Sequence, residues 1–231
     1  LNTQGLTGIA YVQIQDDGLP QRLSHRYARW WNELARRVRE INPEALVTAY
    51  AYNRYSTPPI GMKLEPNILI GYVAGDTYPK AADKVPSMRH AFDQWGKTGA
   101  SFFIRPNSLF FGGHAVPFVF TRQICDDFKY YVENGVRGTD FDSLLGYWAT
   151  TGPTYYALAR QHWDTQLDAD TVLDREYCPA FGPMAPVVKE YFDHWERFTA
   201  EAWLDPTLPE RSKKLSPYSN TRGRIMLCGE I

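Results

Sequence analysis

Acidic residues close two of the apolar runs in this sequence. Asp16 and Asp17 follow the run that begins at Gly8, and Asp142 ends the run that begins at Val136. Cleavage of a glycosidic bond needs two carboxyl groups, one to protonate the leaving oxygen and one to stabilise or attack the sugar carbon. Asp17 and Asp142 are therefore the candidate catalytic pair, and Asp16 is a candidate substrate contact.

Other interpretations of these acids stay open. An Asp-Gly pair such as Asp17-Gly18 is a common turn, and an acid before a helix, such as Asp142, can serve only as its N-cap. Adjacent side chains point to opposite faces of an extended strand, so Asp16 and Asp17 reach one site only if the chain bends at Gly18. If both reach it, one can orient a substrate acetamido group as internal nucleophile while the other is the acid.

Aromatic and polar residues at the other run ends are suited to contact a sugar. Aromatic residues make up 15% of the chain, including 7 Trp and 15 Tyr, and flat rings with polar edges pack well against sugar rings. The candidate substrate-binding residues, besides Asp16, are Tyr52, Arg54, Arg105, Asn107, His114, Tyr147 and Trp148. The two arginines are suited to hold a sugar carboxylate, and equally to form a structural ion pair.

Several kinds of site have no motif in the sequence. The 5 histidines form neither a His-x-His pair nor a His-Glu-x-x-His run, there is no Gly-x-Ser-x-Gly elbow, and no glycine-rich phosphate loop follows a strand. The 25 Lys+Arg nearly balance the 26 Asp+Glu, which gives no field that favours nucleic acid. We predict no metal, no cofactor, no nucleic-acid partner and no membrane span, which would need an apolar run of about 20 residues. The 3 cysteines leave the compartment open.

Apolar runs alternate with helical patterns along the chain. The predicted strands are Gly8–Gln15, Ala45–Tyr52, Asn67–Val73, Ala100–Ile104 and Val136–Asp142. The predicted helices are Ser24–Ile41, Met88–Trp95, Thr121–Asn134, Tyr155–Trp163, Asp170–Phe181 and Pro186–Trp203. Strands that are continuously apolar and alternate with helices predict an α/β fold with a parallel sheet covered by helices.

The order of these elements predicts a TIM-type (β/α)8 barrel, with an open doubly wound sheet as the alternative. A closed barrel needs about 250 residues, so the visible units are expected to be its C-terminal five, which pair with an N-terminal part outside this chain. The predicted divisions are the barrel at residues 1–165, a helical extension at 166–203, and a loop or following segment at 204–231. Reactive groups of such barrels lie at the carboxyl ends of the strands, where the candidate residues stand.

Apolar residues at helical spacing predict which helix faces are buried. On the first helix they are Trp30, Leu34, Val38 and Ile41, and on the last Val187, Tyr191, Trp195, Phe198 and Ala202. On the two helices between strands they are Met88, Ala91, Phe92 and Trp95, then Ile124, Phe128 and Tyr131.

Six groups of residues carry a family resemblance by their order and spacing. They are Asp17-Gly18, Ala51-Tyr52 with Pro58-Pro59, Pro66-Asn67-Ile68, Gly135-Val136 with Gly138 and Asp142, Tyr155–Ala159 with Trp163-Asp164, and Phe181-Gly182 before Tyr191-Phe192. The chain, from about Gly8 to Trp195, resembles a family of bacterial glycoside-hydrolase-like proteins. That family was long catalogued as a domain of unknown function, is similar to alpha-glucuronidases, and includes endo-β-N-acetylglucosaminidases that act on N-glycans.

The resemblance implies a barrel preceded by an N-terminal region. It also implies a glutamate where this chain has Asp142, and a longer, cysteine-containing segment after Asp17-Gly18. The shorter aspartate retracts the carboxyl group by one methylene, and acid–base geometry is sensitive on that scale.

These observations favour a glycoside hydrolase that cleaves glycosidic bonds of a complex glycan or polysaccharide. The alternative is a carbohydrate-binding barrel that has lost the catalytic glutamate and does no chemistry. A third interpretation is a structural barrel fragment that packs against another chain. Because polymeric glycans are met outside the cytoplasm, we expect a periplasmic or extracellular protein.

Overall fold

The structure is a computed structural model that describes residues 20–73, 78–106, 117, 119–141 and 148–204. One sheet contains β1 (Val47–Ala51), β2 (Ile68–Tyr72), β3 (Ser101–Ile104) and β4 (Val136–Thr139), in that order. β1 pairs with β2, and β2 with β3, in parallel. By its internal contacts the described part of the chain divides into two compact units. The first comprises residues 20–73, 86–105 and 137–140, and the second comprises residues 78–85, 106, 117, 119–136, 141 and 148–204.

The sheet of the first unit follows from the apolar pattern of its strands. In β1 the buried residues alternate with exposed ones, which include Tyr50. The central strand β2 is buried at every position except Leu69, which is half-buried. Strands in the middle of a parallel sheet are covered on both faces and read as apolar throughout, as β2 does.

Two helices of the first unit, α1 (Pro20–Ile41) and α2 (Val85–Gly96), supply its helical layer. Helix α1 packs on β1 and β2. The Phe92 ring of α2 lies 5.2 Å from the ring of Tyr72 and 5.5 Å from that of Phe102, measured between centroids. Trp95 is fully buried, and its indole N–H donates to the carbonyl of Ser56 at 2.6 Å. Burying each such side chain contributes about 1.5–3 kcal/mol.

Helix α1 buries a different face from the predicted one. Trp30 is 62% exposed and Ile41 is 86% exposed. The buried residues are Leu23, Ser24, Ala28, Trp31 and Ala35. The two alanines have no bulk beyond Cβ, so they let the helix backbone approach the sheet closely. The prediction was wrong because it placed the buried stripe on Trp30, whereas the stripe that meets the sheet contains the next residue, Trp31, together with Leu23 and the two alanines.

The second unit is built mostly of helices. They are α3 (Thr121–Glu133), α4 (Trp148–Trp163), α5 (Ala169–Val172) and α6 (Ala185–Leu204). A π-helical turn, Leu173–Tyr177, and a 3₁₀ segment, Pro179–Met184, connect α5 to α6. Gly182 has a φ of 58°, a left-handed conformation that glycine adopts without steric cost. This residue interrupts the helical backbone just before α6.

The core of the second unit contains Val119, Leu173, Tyr177, Cys178 and Phe192, with Tyr156, Val188 and Trp195 packed against it. The stripe predicted to be buried on α6 was wrong in part, because Val187 is 55% exposed and Tyr191 is 42% exposed. Phe192 and Thr199 are buried instead. Ala202 lies outside the residues whose side chains are described.

The remaining predictions on elements are largely confirmed. The four strands and the helices α2 and α3 lie within a few residues of their predicted bounds, and Phe92, Trp95, Ile124, Phe128 and Tyr131 are buried. Helix α4 begins at Trp148 rather than Tyr155 and contains Gly152 and Pro153, two residues that disfavour a helix in the sequence pattern. Gly152, Pro153 and Thr154 are buried in the second unit, and the Thr154 hydroxyl bonds that of Thr121 at 2.8 Å. The helical pattern predicted at Asp170–Phe181 is confirmed as helical backbone, although it is divided among α5, the π-helical turn and the 3₁₀ segment instead of forming one α-helix. The predicted strand Gly8–Gln15 lies outside the described residues.

The α/β class with a parallel sheet is thus confirmed. Among the described residues, every helix is too short or too polar to cross a lipid bilayer.

Candidate functional site

Polar residues follow three of the four strands of the sheet in the first unit. Tyr52 comes directly after β1, Arg105 after β3, and Asp140 after β4. The carboxyl ends of parallel strands meet at one edge of a sheet, and ligands of α/β folds bind at that edge. This edge of the sheet is therefore the candidate site.

Arg105, Asp140 and Tyr50 form a polar cluster at that edge. Arg105 Nη1 donates a charge-assisted hydrogen bond to Asp140 Oδ2, and the Tyr50 hydroxyl lies 3.4 Å from the same oxygen, a long hydrogen bond. The guanidinium carbon of Arg105 is 5.7 Å from the centroid of the Tyr50 ring, within the range of a cation–π interaction. The backbone N–H of Asp140 donates to the carbonyl of Ile104 at 2.9 Å, which continues the sheet pairing to the cluster.

Gly71 makes room for the Tyr50 side chain. Tyr50 and Gly71 are register partners on β1 and β2, and Gly71 and Phe103 on β2 and β3. A Cβ atom on Gly71 would stand 2.5 Å from Phe103 Cζ and 2.6 Å from Tyr50 Cδ1. Both rings thus occupy the space that a side chain at position 71 would fill. With glycine at position 71, Tyr50 on β1 lies over β2 and reaches Asp140, which follows β4, and any larger residue there would force one of the two rings to shift.

Tyr52, Asn53 and Arg54 are exposed together at the end of β1. Tyr52 precedes the 3₁₀ turn Asn53–Tyr55 and is 43% exposed. Asn53 has a φ of 52°, a left-handed conformation that asparagine tolerates better than most residues. Arg54 makes no hydrogen bond or ion pair with a described residue. The turn therefore presents a ring, an amide and a guanidinium to solvent.

The base of this turn is held by aromatic packing. The Tyr55 ring lies 4.3 Å from that of Tyr27 and 6.5 Å from that of Trp31, between centroids. Burial raises the pKa of the Tyr55 phenol above its ordinary value. Tyr55 is thus an anchor, and the exposed residues before it are the ones placed to contact a ligand.

Trp148 belongs to the second unit, where it begins helix α4. Its side chain is 52% exposed, and its ring centroid lies 6.1 Å from that of Tyr155. A Cβ on Gly152 would stand 3.3 Å from Trp148 Nε1 and 2.6 Å from the Tyr177 hydroxyl. The indole is therefore supported by the helix beneath it and keeps an open face.

The other predicted site residues, Asp16, Asp17, Asn107, His114, Asp142 and Tyr147, lie outside the described residues. Their roles stay predictions. The structure adds Tyr50, which lies within a strand, and it joins Asp140, an acid of the same predicted strand as the candidate Asp142, to Arg105. Among the predicted site residues that the structure describes, Arg105 belongs to this cluster, and Tyr52 and Arg54 lie at the turn that follows β1.

A buried ion pair lies in the second unit. Lys80 Nζ pairs with Asp127 Oδ2 of α3, and their side chains are 3% and 7% exposed. The Tyr78 hydroxyl donates to the same carboxylate oxygen at 2.7 Å. Gln123 of α3 adds two hydrogen bonds to the backbone of Lys80, at 2.7 and 3.1 Å. These contacts fix the segment 78–80 on α3.

A second charged group of this unit is also structural. Arg122 bonds Asp170 and Asp193, both at 2.8 Å, and Glu196. Burial raises the pKa of Glu196 despite this guanidinium. Arg122 therefore links the first turn of α3 to α5 and α6.

Metal and thiol chemistry have no geometric support in the part of the chain that the structure describes. No three His, Cys, Asp or Glu side chains there come together as a metal site requires. Cys125 and Cys178 are free and buried, and burial raises the pKa of both thiols. A raised pKa lowers the thiolate fraction that a nucleophile or metal ligand needs.

Comparison with known proteins identifies the family of this chain. The model of a family described as a domain of unknown function, DUF4838, matches residues 12–193. Neither a curated protein nor a solved structure matches the chain. The matched range contains the whole sheet and every site residue discussed above, and on this basis the chain belongs to the DUF4838 family.

Proposed function

We propose that this protein is a glycoside hydrolase that acts on a complex glycan or polysaccharide, with Asp17 and Asp142 as its carboxylate pair. The observation that carries the proposal is the edge of the sheet in the first unit. There the cluster of Tyr50, Arg105 and Asp140 and the exposed ring of Tyr52 stand where parallel strands end. Rings and charge-assisted hydrogen bonds are the two kinds of contact by which proteins hold sugars.

The fold that suits this function is a (β/α)8 barrel, which we propose contains the parallel sheet. Its support is the sequential strand order β1 to β4 with a helix between β2 and β3 and another between β3 and β4. Each such barrel strand delivers its carboxyl end to one mouth. Asp17 follows a predicted strand and Asp142 ends another, which would bring both to that mouth. A periplasmic or extracellular location goes with this substrate class.

The proposal is tested by the release of sugars from a glycan panel. Asp17→Asn and Asp142→Asn keep the size of each side chain and remove its acid function, so each variant is expected to lose turnover by about 10²-fold or more. Asp83→Asn is the matched control, because Asp83 is 72% exposed in the second unit. Circular dichroism shows whether each variant folds. Turnover at the wild-type rate by both site variants would refute the carboxylate pair.

A second candidate function is carbohydrate binding without hydrolysis. It is favoured by Asp142, which stands where the resemblance implies a longer glutamate. Glycan-array binding by the wild-type protein with no product from any bound glycan would select this candidate over the hydrolase.

A further inference from the structure

The carboxylate of Asp140 uses only one of its two oxygens within the described part of the protein. Arg105 Nη1 and the Tyr50 hydroxyl both meet Oδ2. No described residue donates a hydrogen bond to Oδ1, and the side chain is 44% exposed. Oδ1 is therefore an acceptor, held in place by its neighbours and open to a donor from solution.

The charge of Arg105 is matched inside the cluster. Its guanidinium pairs with Asp140 and lies against the Tyr50 ring, and its side chain is only 27% exposed. The group that reaches furthest into solvent is thus the carboxylate, not the guanidinium. An incoming anion meets a negative charge first, whereas a hydroxyl group meets an acceptor.

An aromatic surface adjoins this acceptor. The Tyr50 ring is 39% exposed and lies 5.7 Å from the half-buried Phe103 ring, between centroids. The C–H face of a sugar ring packs on such rings while its hydroxyls bond charged groups at their edge. A molecule with hydroxyl donors on one edge and an apolar face fits both features.

We propose that Asp140 Oδ1 accepts a hydroxyl of an uncharged sugar residue, and that this subsite selects neutral sugars over uronic acids. The inference rests on the proposed carbohydrate function, and it names the substrate class. Arg105 then acts as a positioning residue that orients Asp140, rather than as the group that receives a sugar carboxylate. Gly71 completes the subsite, because it lets Tyr50 lie beside Asp140.

The test is equilibrium binding of sugars that differ only at C6. The probes are methyl glucoside with methyl glucuronide, and methyl galactoside with methyl galacturonide, titrated into the whole chain at pH 7. In at least one pair the neutral member is expected to bind more tightly by about 10- to 100-fold. This is the change in affinity that the loss of one hydrogen bond to a charged group produces. In both pairs an acid member that binds as tightly as its neutral partner, or no binding by any of the four sugars, would overturn the proposal.

Asp140→Asn gives a second readout. This substitution keeps the shape of the side chain and removes its charge. The ratio of the dissociation constants of the acidic and the neutral sugar is therefore expected to fall by about tenfold. An unchanged preference in a folded variant would contradict the role of Asp140. The wild-type comparison does not depend on whether the variant folds.

These measurements separate the subsite from the hydrolase proposal. Selective binding of neutral sugars without turnover of any glycan would reject the hydrolase and leave the subsite. Turnover that depends on Asp17 and Asp142, together with equal binding of neutral and acidic sugars, would reject the subsite alone.

Discussion

Replacing Lys80 by methionine tests how the second unit is held together. Lys80 and Asp127 are 3% and 7% exposed, so the substitution leaves a carboxylate buried without its cation. The Tyr78 hydroxyl, 2.7 Å from that carboxylate, offsets only part of the loss. Breaking one side of a buried ion pair costs about 3–5 kcal/mol, and we expect Lys80→Met to lower the free energy of unfolding by that amount.

Urea-induced unfolding followed by tryptophan fluorescence measures this change. Lys84→Met is the matched control, because Lys84 and its partner Asp83 are 69% and 72% exposed, and exposed pairs contribute about 1 kcal/mol or less. The double variant Lys80→Met/Asp127→Leu removes both charges of this buried pair, so stability should return to within about 1–2 kcal/mol of wild type. Equal losses for Lys80→Met and Lys84→Met, or a double variant no more stable than the single one, would refute the reasoning.

One further substitution in each unit tests its geometry. Gly71→Ala places a Cβ against Phe103 and should lower the free energy of unfolding by about 1–3 kcal/mol. The control Gly138→Ala adds a Cβ with no atom within 4 Å of it and should change the free energy of unfolding by less than about 0.5 kcal/mol. Equal effects of the two substitutions would contradict the close packing at Gly71. Asp168 caps α5 by accepting from the Thr171 N–H at 2.6 Å, and these hydrogen bonds lower its pKa, so Asp168→Ala should cost about 1 kcal/mol at pH 7. The pKa of Asp168 in the folded protein lies below the unfolded value of about 3.9, so the stabilisation is present at pH values above the unfolded pKa and is lost as the pH falls through the folded pKa. A stability difference between wild type and Asp168→Ala that persists in acid would contradict the cap.

The strands were predictable because their signal is local. Apolar runs bounded by turn residues locate β1 to β4 to within a few residues. The buried helix faces were less predictable. Helix α1 has two apolar stripes, one with Trp30 and Ile41 and one with Ala28 and Ala35, and the periodicity of a helix does not say which stripe meets the sheet. The shape of the partner decides, and it selects the stripe in which Leu23 and Trp31 accompany the two alanines.

The candidate site was predictable in part for a related reason. The sequence marks Arg105 as a polar residue at a strand end, but its partner depends on which strand lies beside β3. Asp140 becomes that partner because β4 is adjacent. Tyr50 lies within a strand rather than at its end, and it joins the cluster only because Gly71, on the next strand, lacks a side chain. Such cross-strand relations are tertiary and leave no local signal in the sequence.

The central claim, a carboxylate pair at the carboxyl ends of the strands, is tested most directly by one distance. This is the separation of the carboxyl carbons of Asp17 and Asp142 in an experimental structure of the protein. We predict about 5–5.5 Å, for a retaining enzyme, or about 6.5–9.5 Å, for an inverting one. At a separation far beyond about 9.5 Å the two carboxyl groups could not act on the same glycosidic bond, and this result would contradict the pair.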